Sequence, residues 1–185
     1  TSLLALRNIA SIRKGHKILI NGASGGVGTF ALQMAKIYEA DITAVTSERN
    51  SDWIKNDFKI NDVIDYTKDD ILSTDNKYDI IFDANGNLSF PKVSKILSAN
   101  GIYVSTKNNI YNNIDVAKQL FQRKKSRVVL SGRTSTANLD LFRMWIEDGK
   151  IKPIIDKIFS FDKYLDAYKH LSSGRARGKI ILTID

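Results

Sequence analysis

Asn21-Gly22-Ala23-Ser24-Gly25-Gly26-Val27-Gly28 (NGASGGVG) decides the fold of this chain. The strand-like run Lys17–Ile20 comes directly before it, and apolar residues at helical spacing follow it. A strand, a tight glycine turn and a helix N-terminus together form a phosphate cradle, because backbone N–H groups and the helix dipole face an anion where side chains are absent. The stretch therefore predicts a nucleotide-binding loop. The alternative is a glycine-rich turn that binds nothing.

Short apolar runs and amphipathic helical patterns alternate along the rest of the chain. This alternation predicts an α/β protein with a Rossmann-type, doubly wound parallel sheet. We expect six strands in the order 3-2-1-4-5-6, helices on both faces, and one domain over residues 1–185. The six strands of the sheet are predicted over 17–20, 42–46, 63–64, 79–82, 102–104 and 127–130, and a further strand over 179–182 closes the chain. The predicted helices cover 2–12, 27–38, 52–58 (capped by Ser51), 93–97, 115–122, 139–146 and 161–171.

The composition limits the classes of protein to which the chain can belong. Its 185 residues, 43% of them apolar, suffice for one buried core. The absence of cysteine excludes disulfides and thiolate metal sites and fits a reducing compartment, so we expect a cytoplasmic protein. No run reaches the length of a membrane span, and Thr1–Leu6 does not resemble a signal peptide, so we expect no membrane association.

Positive charge is spread along the chain, with a formal net charge of +8. The densest basic run, Arg123–Arg127, is interpreted as a solvated helix end, with contact to a partner or a polyanion as alternatives. We therefore predict no nucleic acid partner. A positive net charge also suits an anionic cofactor.

The glycine loop departs from the strict dinucleotide fingerprint G-x-G-x-x-G. The same frame reads Ala23-x-Gly25-x-x-Gly28, with extra glycines at 22 and 26. The loop lacks the Gly-Lys-Ser/Thr ending of a P-loop, which argues against nucleoside triphosphate hydrolysis. The position after a strand and before a helix still favours a dinucleotide.

The residues after the second strand bear on which dinucleotide binds. An NAD-selective fold places an acidic residue there to bind the ribose hydroxyls, whereas this chain has Ser47, with Arg49 close behind. A hydroxyl and a guanidinium suit a 2′-phosphate, which a carboxylate would repel. We therefore predict NADP(H). NAD(H) is the alternative, because Glu48 could turn inward to a ribose, and Arg49 could be an ordinary solvated residue.

Six segments resemble a known family, in the family's order and over nearly the whole chain. They resemble the cofactor-binding half of the medium-chain dehydrogenases/reductases, in the zinc-independent quinone oxidoreductase-like branch. The matching segments are 20–28, 45–50, 63–66, 78–86, 101–104 and 177–182.

The resemblance implies roles for individual residues. The loop residues would hold the pyrophosphate, and Ser47 and Arg49 would hold the 2′-phosphate. Tyr66 would pack beside the adenosine, or else be a half-buried loop aromatic. Lys179 would reach the cofactor, or else be a solvated strand residue. The full set implied to bind the cofactor is Ser24, Gly25, Gly26, Val27, Ser47, Arg49, Tyr66, Ala84, Asn85, Ser105, Thr106 and Lys179, of which Asn85 departs from the small or apolar residue usual there.

The resemblance also implies an activity. The parent enzyme would transfer a hydride from NADPH to a quinone or an α,β-unsaturated carbonyl, with the cofactor supplying the chemistry. Relatives begin with a GroES-like catalytic domain, which we expect to be absent from this chain, so we name no catalytic residue and no metal ligand. His16 and His170 are interpreted as surface or helix-packing residues. A zinc-dependent alcohol dehydrogenase-like parent and a non-catalytic nucleotide-binding module are the alternatives.

Members of the resembled family dimerise through the edge of the cofactor-domain sheet. The stretch Val128-Val129-Leu130 is predicted to lie on the last strand before the C-terminal helices. An edge strand can pair with its twin across a two-fold axis. We therefore expect a homodimer formed near Val128–Leu130.

Overall fold

A six-stranded parallel sheet forms the centre of the computed structural model, which describes residues 1–107, 123–129 and 135–184. Every neighbouring pair of strands is parallel, and the order β3-β2-β1-β4-β5-β6 confirms the predicted Rossmann-type sheet. The strands are β1 (Lys17–Asn21), β2 (Asp41–Thr46), β3 (Asp62–Asp65), β4 (Tyr78–Asp83), β5 (Leu97–Ser105) and β6 (Lys125–Val128).

The helices follow the predicted alternation with the strands. The predicted helix 115–122 lies outside the described residues. None of the helices in the described part of the chain is both long and apolar enough to cross a membrane. The helical elements are a π-helical turn (Leu4–Ile9), α1 (Gly28–Ile37), α2 (Glu48–Phe58), α3 (Phe90–Val93), α4 (Thr136–Glu147), a 3₁₀ turn (Phe161–Lys163) and α5 (Tyr164–Ser172).

Hydrophobic residues cover both faces of the sheet. Successive side chains of a strand point to opposite faces, and β1 shows this directly. Ile18 and Ile20 pack in one cluster with buried residues of α1 and α2, whereas Leu19 packs in a second cluster with Phe90 and Val93 of α3. Two hydrophobic cores, one on each face, therefore stabilise the sheet. Because the strands are parallel, their carboxyl ends lie together at one edge.

Helix α2 begins four residues earlier than predicted. Ser47 is its N-cap, with an extended backbone (φ −85°, ψ 157°), and the predicted cap Ser51 lies inside the helix. Because Ser47 directly follows β2, the helix starts as soon as the chain leaves the sheet. The N-terminus of α2 is therefore brought to the edge of the sheet where the glycine loop lies.

Strand β5 also differs from the prediction. It begins at Leu97, where a helix was predicted, and Gly101 lies inside it. The pairing with β4 shifts register between Tyr78 and Ile80, and a Cβ at Gly101 would lie 2.9 Å from the Tyr78 carbonyl oxygen. Gly101 therefore lies within the strand, where its lack of a side chain allows an irregular, close pairing.

Smaller boundary differences occur at the two ends of the chain. The first helix is π-helical from residue 4 and ends before Ser11, whose φ of 50° is not helical. Strand β6 begins two residues earlier than predicted, and Leu130 lies outside the described residues. The predicted helix 139–146 extends to Thr136, because Ser135 caps it by accepting a hydrogen bond from the Asn138 backbone.

A second, two-stranded sheet was not predicted. Strand β7 (Ile155–Ser160) pairs in parallel with β8 (Lys179–Thr183), and helix α5 connects them. The last strand therefore belongs to this small sheet and not to the six-stranded one. An isolated parallel bridge between Gly25 and Gly178 places the start of β8 against the glycine loop.

Candidate cofactor site

The glycine loop is shaped by backbone contacts that exclude side chains. Gly22 has φ +80°, and a Cβ there would lie 2.5 Å from the Asn85 Oδ1 atom. A Cβ at Gly28 would lie 2.1 Å from the Gly22 carbonyl oxygen, so α1 packs directly on the turn. Gly22 supplies the left-handed turn that the motif assigns to its first glycine, and this explains why Ala23 is tolerated.

The outer side of the loop is open at Gly25. The nearest atom to a Cβ at that position would be the Gly22 carbonyl oxygen, at 3.5 Å. No side chain therefore covers the outward-facing backbone of the loop, just before the N-terminus of α1. This is the arrangement that a pyrophosphate requires, so the loop fits a dinucleotide.

The segment before β8 lies on the other side of the loop. The Gly178 backbone N–H donates to the Ser24 carbonyl oxygen at 2.9 Å. A Cβ at Gly26 would lie 2.9 Å from the Gly178 carbonyl oxygen and 3.0 Å from the Lys179 Cδ atom. The fold thus brings the aliphatic part of the Lys179 side chain against the glycine loop.

Two hydroxyl groups meet at the end of β2. The buried Asn50 side chain donates from Nδ2 to the Ser24 hydroxyl oxygen at 3.1 Å and to the Ser47 hydroxyl oxygen at 3.4 Å. Ser24 comes from the glycine loop and Ser47 from the N-cap of α2. Asn50 therefore joins the predicted pyrophosphate and 2′-phosphate regions, a link that was not predicted.

The carboxylate of Glu48 is held by a lysine. Its Oε1 atom accepts a hydrogen bond from the Lys68 ammonium group, and 66% of its side chain is exposed. This interaction raises the pKa of Lys68. On the neighbouring strand, the Thr67 hydroxyl donates to Asp65 and lowers the pKa of that carboxyl. Glu48 thus has a partner in the structure, whereas the alternative requires it to turn inward to a ribose.

Arg177 is a further basic residue at this site, and it was not predicted. Its Nε atom donates to the Asn50 Oδ1 atom and its Nη2 atom donates to the Arg49 carbonyl oxygen, both at 2.7 Å. Its guanidinium lies 5.5 Å from the centre of the Trp53 ring. The exposed Arg49 side chain in turn donates to the Arg175 carbonyl oxygen. The pair of arginines in the run Arg175-Ala-Arg177-Gly178 is the sequence signal that could have indicated this role.

These arginines line a cavity of about 390 Å³. Asp156 and His170 complete its lining, with the Asp156 carboxylate and the His170 Nε2 atom 2.5 Å apart. His170 was interpreted as a surface or helix-packing residue, and it lies half-buried in this pair. Three guanidinium groups against one carboxylate make the cavity a basic environment.

The ends of β4 and β5 form the other half of the crevice. The Thr106 hydroxyl donates to the Ala84 carbonyl oxygen at 3.1 Å, and the exposed Asn85 lies over Gly22. Ser105 is buried, and its hydroxyl oxygen accepts a hydrogen bond from the Lys107 backbone N–H. Tyr66 follows β3 and is 54% exposed. The twelve predicted residues therefore lie along the carboxyl ends of four strands, the glycine loop and the start of β8.

A comparison of the sequence with protein families identifies the family. A sequence model described as zinc-binding dehydrogenase matches residues 58–182. The chain belongs to the zinc-binding dehydrogenase family. The glycine loop lies before the matched region, and the segment that covers the loop lies within it.

Relatives and solved structures agree with this membership. A zinc-type alcohol dehydrogenase-like protein of Schizosaccharomyces pombe is 30% identical over 94% of this chain and 53% of its own length. The mitochondrial NAD(P)H oxidoreductase RTN4IP1 of Bos taurus is 31% identical over 92% of the chain and 48% of its own length. The quinone oxidoreductase of Coxiella burnetii superposes with a TM-score of 0.87 at 26% identity, over the whole chain and 57% of its own.

The chain spans about half the length of these two relatives. The predicted resemblance to the cofactor-binding region of the medium-chain dehydrogenases/reductases is confirmed. Over residues 1–107, 123–129 and 135–184, no group of three or more His, Asp or Glu side chains is placed to share a metal ion. These residues therefore do not provide a zinc site.

Proposed function

We propose that this chain binds NADP(H) and holds it as the hydride donor of an oxidoreductase that reduces a quinone or an α,β-unsaturated carbonyl. The observation that carries the proposal is the pair of hydroxyls at Ser24 and Ser47, joined by Asn50 and flanked by Arg49. A 2′-phosphate is favoured by hydroxyl and guanidinium donors. The named relatives are oxidoreductases and use NAD(P)H where their names state a cofactor.

The chain's own residues have three tasks in this proposal. Backbone N–H groups of the loop bind the pyrophosphate, and Lys179 adds a positive charge beside Gly26. Ser47 and Arg49 bind the 2′-phosphate. The ends of β4 and β5, with Ala84, Asn85 and Thr106, border the crevice that the nicotinamide half would occupy. The bound nicotinamide supplies the hydride, and the protein supplies position and electrostatics.

Isothermal titration of the chain with NADPH and with NADH tests the proposed cofactor. We expect NADPH to bind at least about tenfold more tightly, because each charge-assisted hydrogen bond to the 2′-phosphate contributes about 1.5–3 kcal/mol. The preference should weaken as salt rises, since the contacts are partly exposed. Equal or tighter binding of NADH would contradict the NADP(H) assignment. Binding of neither nucleotide would favour the empty glycine turn.

The substrate-binding pocket is proposed to be supplied by a catalytic domain of the GroES-like kind that the resemblance implies. Helix α5 and strand β8 expose an apolar face around a cavity of about 460 Å³. Large exposed apolar patches commonly mark an interface. The residues that line this cavity are Tyr164, Leu165, Ala167, Tyr168, Leu171, Ile180 and Leu182, of which Ala167 is buried. We expect the 185-residue chain by itself to bind the cofactor and to reduce quinones poorly. Turnover comparable to that of intact relatives would contradict this.

A homodimer through the end of the large sheet is the proposed assembly. Strand β6 is the last in the order of the six described strands, and β5 is its hydrogen-bonded neighbour there. The other edge of β6 could pair with a second copy across a two-fold axis. Light scattering should then give twice the mass of the chain. A monomer at micromolar concentration would count against the dimer.

The cellular location is proposed to be the cytoplasm. This rests on the absence of cysteine from the sequence, which fits a reducing compartment. Some relatives carry mitochondrial or chloroplast names. Fluorescence microscopy of the tagged full-length protein in its own cells tests the location, and signal confined to an organelle would contradict it.

A further inference from the structure

The guanidinium of Arg177 is fixed on three sides. It donates to Asn50 and to the Arg49 carbonyl oxygen, and it lies over the Trp53 ring. The residue after it, Gly178, has φ +82° and donates to the Ser24 carbonyl oxygen. A Cβ at Gly178 would lie 2.4 Å from the Ile154 carbonyl oxygen, so the backbone here has little room to move. Arg177 is therefore a rigid donor beside the glycine loop.

This donor determines how the Asn50 amide is oriented. A guanidinium has only N–H donors, so the Asn50 atom facing it at 2.7 Å must be the carbonyl oxygen. The amide nitrogen then faces the serines, at 3.1 Å from the Ser24 oxygen and 3.4 Å from the Ser47 oxygen. Both serine oxygens accept from Asn50, which leaves both hydroxyl protons to donate elsewhere.

We propose that Arg177 is a positioning residue that acts through Asn50 to direct the hydroxyl protons of Ser24 and Ser47 toward the phosphates of the bound cofactor. The inference rests on the proposed function, which supplies the anion. Without Arg177 the amide can turn over, and its oxygen then accepts the serine protons that the phosphates would otherwise receive. In the chain of hydrogen bonds from Arg177 through Asn50 to the serine hydroxyls, each group donates to the next. The serine hydroxyls therefore donate to the group beyond them, which favours an anion there.

The neighbouring arginine provides a matched control. Arg175 lies two residues before Arg177 and lines the same cavity, and its side chain makes no hydrogen bond to the described residues. Replacing either arginine by methionine removes the same charge. Only Arg177→Met also removes the donor to Asn50.

A double-mutant cycle tests the positioning role in the full chain. Titration calorimetry gives the dissociation constant of NADPH for Arg177→Met, in the wild-type background and in the Ser24→Ala/Ser47→Ala background. We expect Arg177→Met to weaken NADPH binding about tenfold in the wild type, and no more than about threefold when both serines are absent, because only the lost charge then acts. Arg175→Met should weaken it no more than about threefold, through loss of charge alone. Asn50→Asp, which presents only acceptors to the serines, should weaken it at least as much as Arg177→Met.

The outcomes separate the positioning role from the cofactor assignment. An equal loss from Arg177→Met in both backgrounds, or an equal loss from Arg175→Met, would overturn the role of Arg177 while NADPH binding by the wild type stands. A wild-type chain that binds no NADPH would overturn both. If Arg177→Met does not fold, as judged by circular dichroism, Arg177→Leu, which also lacks both the charge and the donor, is measured in its place, and the same comparison of backgrounds decides.

Discussion

Gly28→Ala should lower the free energy of unfolding by about 3 kcal/mol or more, a large fraction of the stability of a domain. The added methyl group would lie 2.1 Å from the Gly22 carbonyl oxygen and 2.7 Å from the Ala23 backbone. These are backbone atoms on a buried turn, so helix α1 must move away from β1 to relieve the contact. Urea unfolding followed by circular dichroism measures the loss.

Gly25→Ala is the matched control for that variant. A Cβ at Gly25 has no neighbour closer than 3.5 Å, so we expect the free energy of unfolding to change by less than about 1 kcal/mol. The methyl group would instead occupy the space in front of the loop and displace the pyrophosphate from its backbone donors. NADPH should then bind about a hundredfold more weakly, equivalent to losing two charge-assisted hydrogen bonds. Normal binding by Gly25→Ala would place the nucleotide elsewhere.

Ser47→Asp should reverse the proposed cofactor preference. A carboxylate at the end of β2 would repel a 2′-phosphate and could accept hydrogen bonds from both ribose hydroxyls. We expect NADPH to bind at least about a hundredfold more weakly and NADH to bind at least as tightly as before. The ratio of the two dissociation constants, from titration calorimetry, is the measurement.

Asn56→Asp is the control for Ser47→Asp, because it adds the same negative charge to helix α2 at a position far from the proposed 2′-phosphate site. Asn56 lies in the same helix, is exposed, and differs from aspartate by one charge and not by size. Its substitution should change the preference less than about threefold, because exposed charges far from the site are screened. A reversal by Asn56→Asp as large as that by Ser47→Asp would show that Ser47 has no local role.

The large sheet could be predicted because each of its strands carries its own signal. Runs such as 18–20 and 80–82 are continuously apolar, as strands buried on both faces must be. Strand β7 has no such signal. Ile155 and Ile158 are more than half exposed, and Asp156 and Lys157 lie between them. Strand β7 pairs with β8. Because these apolar residues are exposed and charged residues lie between them, β7 lacks the continuous apolar run by which the buried strands were predicted.

The site could be predicted where its residues follow strand ends, and not where it depends on distant side chains. Ser47 and the glycine loop lie at the ends of neighbouring strands, so the strand order alone brings them together. Arg177 reaches Asn50 across 127 residues, and no local pattern indicates that contact. The start of α2 was misplaced for a related reason, since Ser51 is as good a cap as Ser47 by residue type, and only the end of β2 selects between them.

The bridge between Gly25 and Gly178 joins positions near opposite ends of the sequence. During synthesis, the first strand and its glycine turn leave the ribosome long before the segment that covers them. Contacts between residues so far apart in the chain form late in folding. Nucleotide binding should therefore be among the last properties that the protein acquires during folding. A chain that ends before residue 178 would retain the glycine motif but lack the segment that packs against the glycine loop. Bound nucleotide would in turn stabilise the late-docking segment, and so favour completed chains over truncated ones.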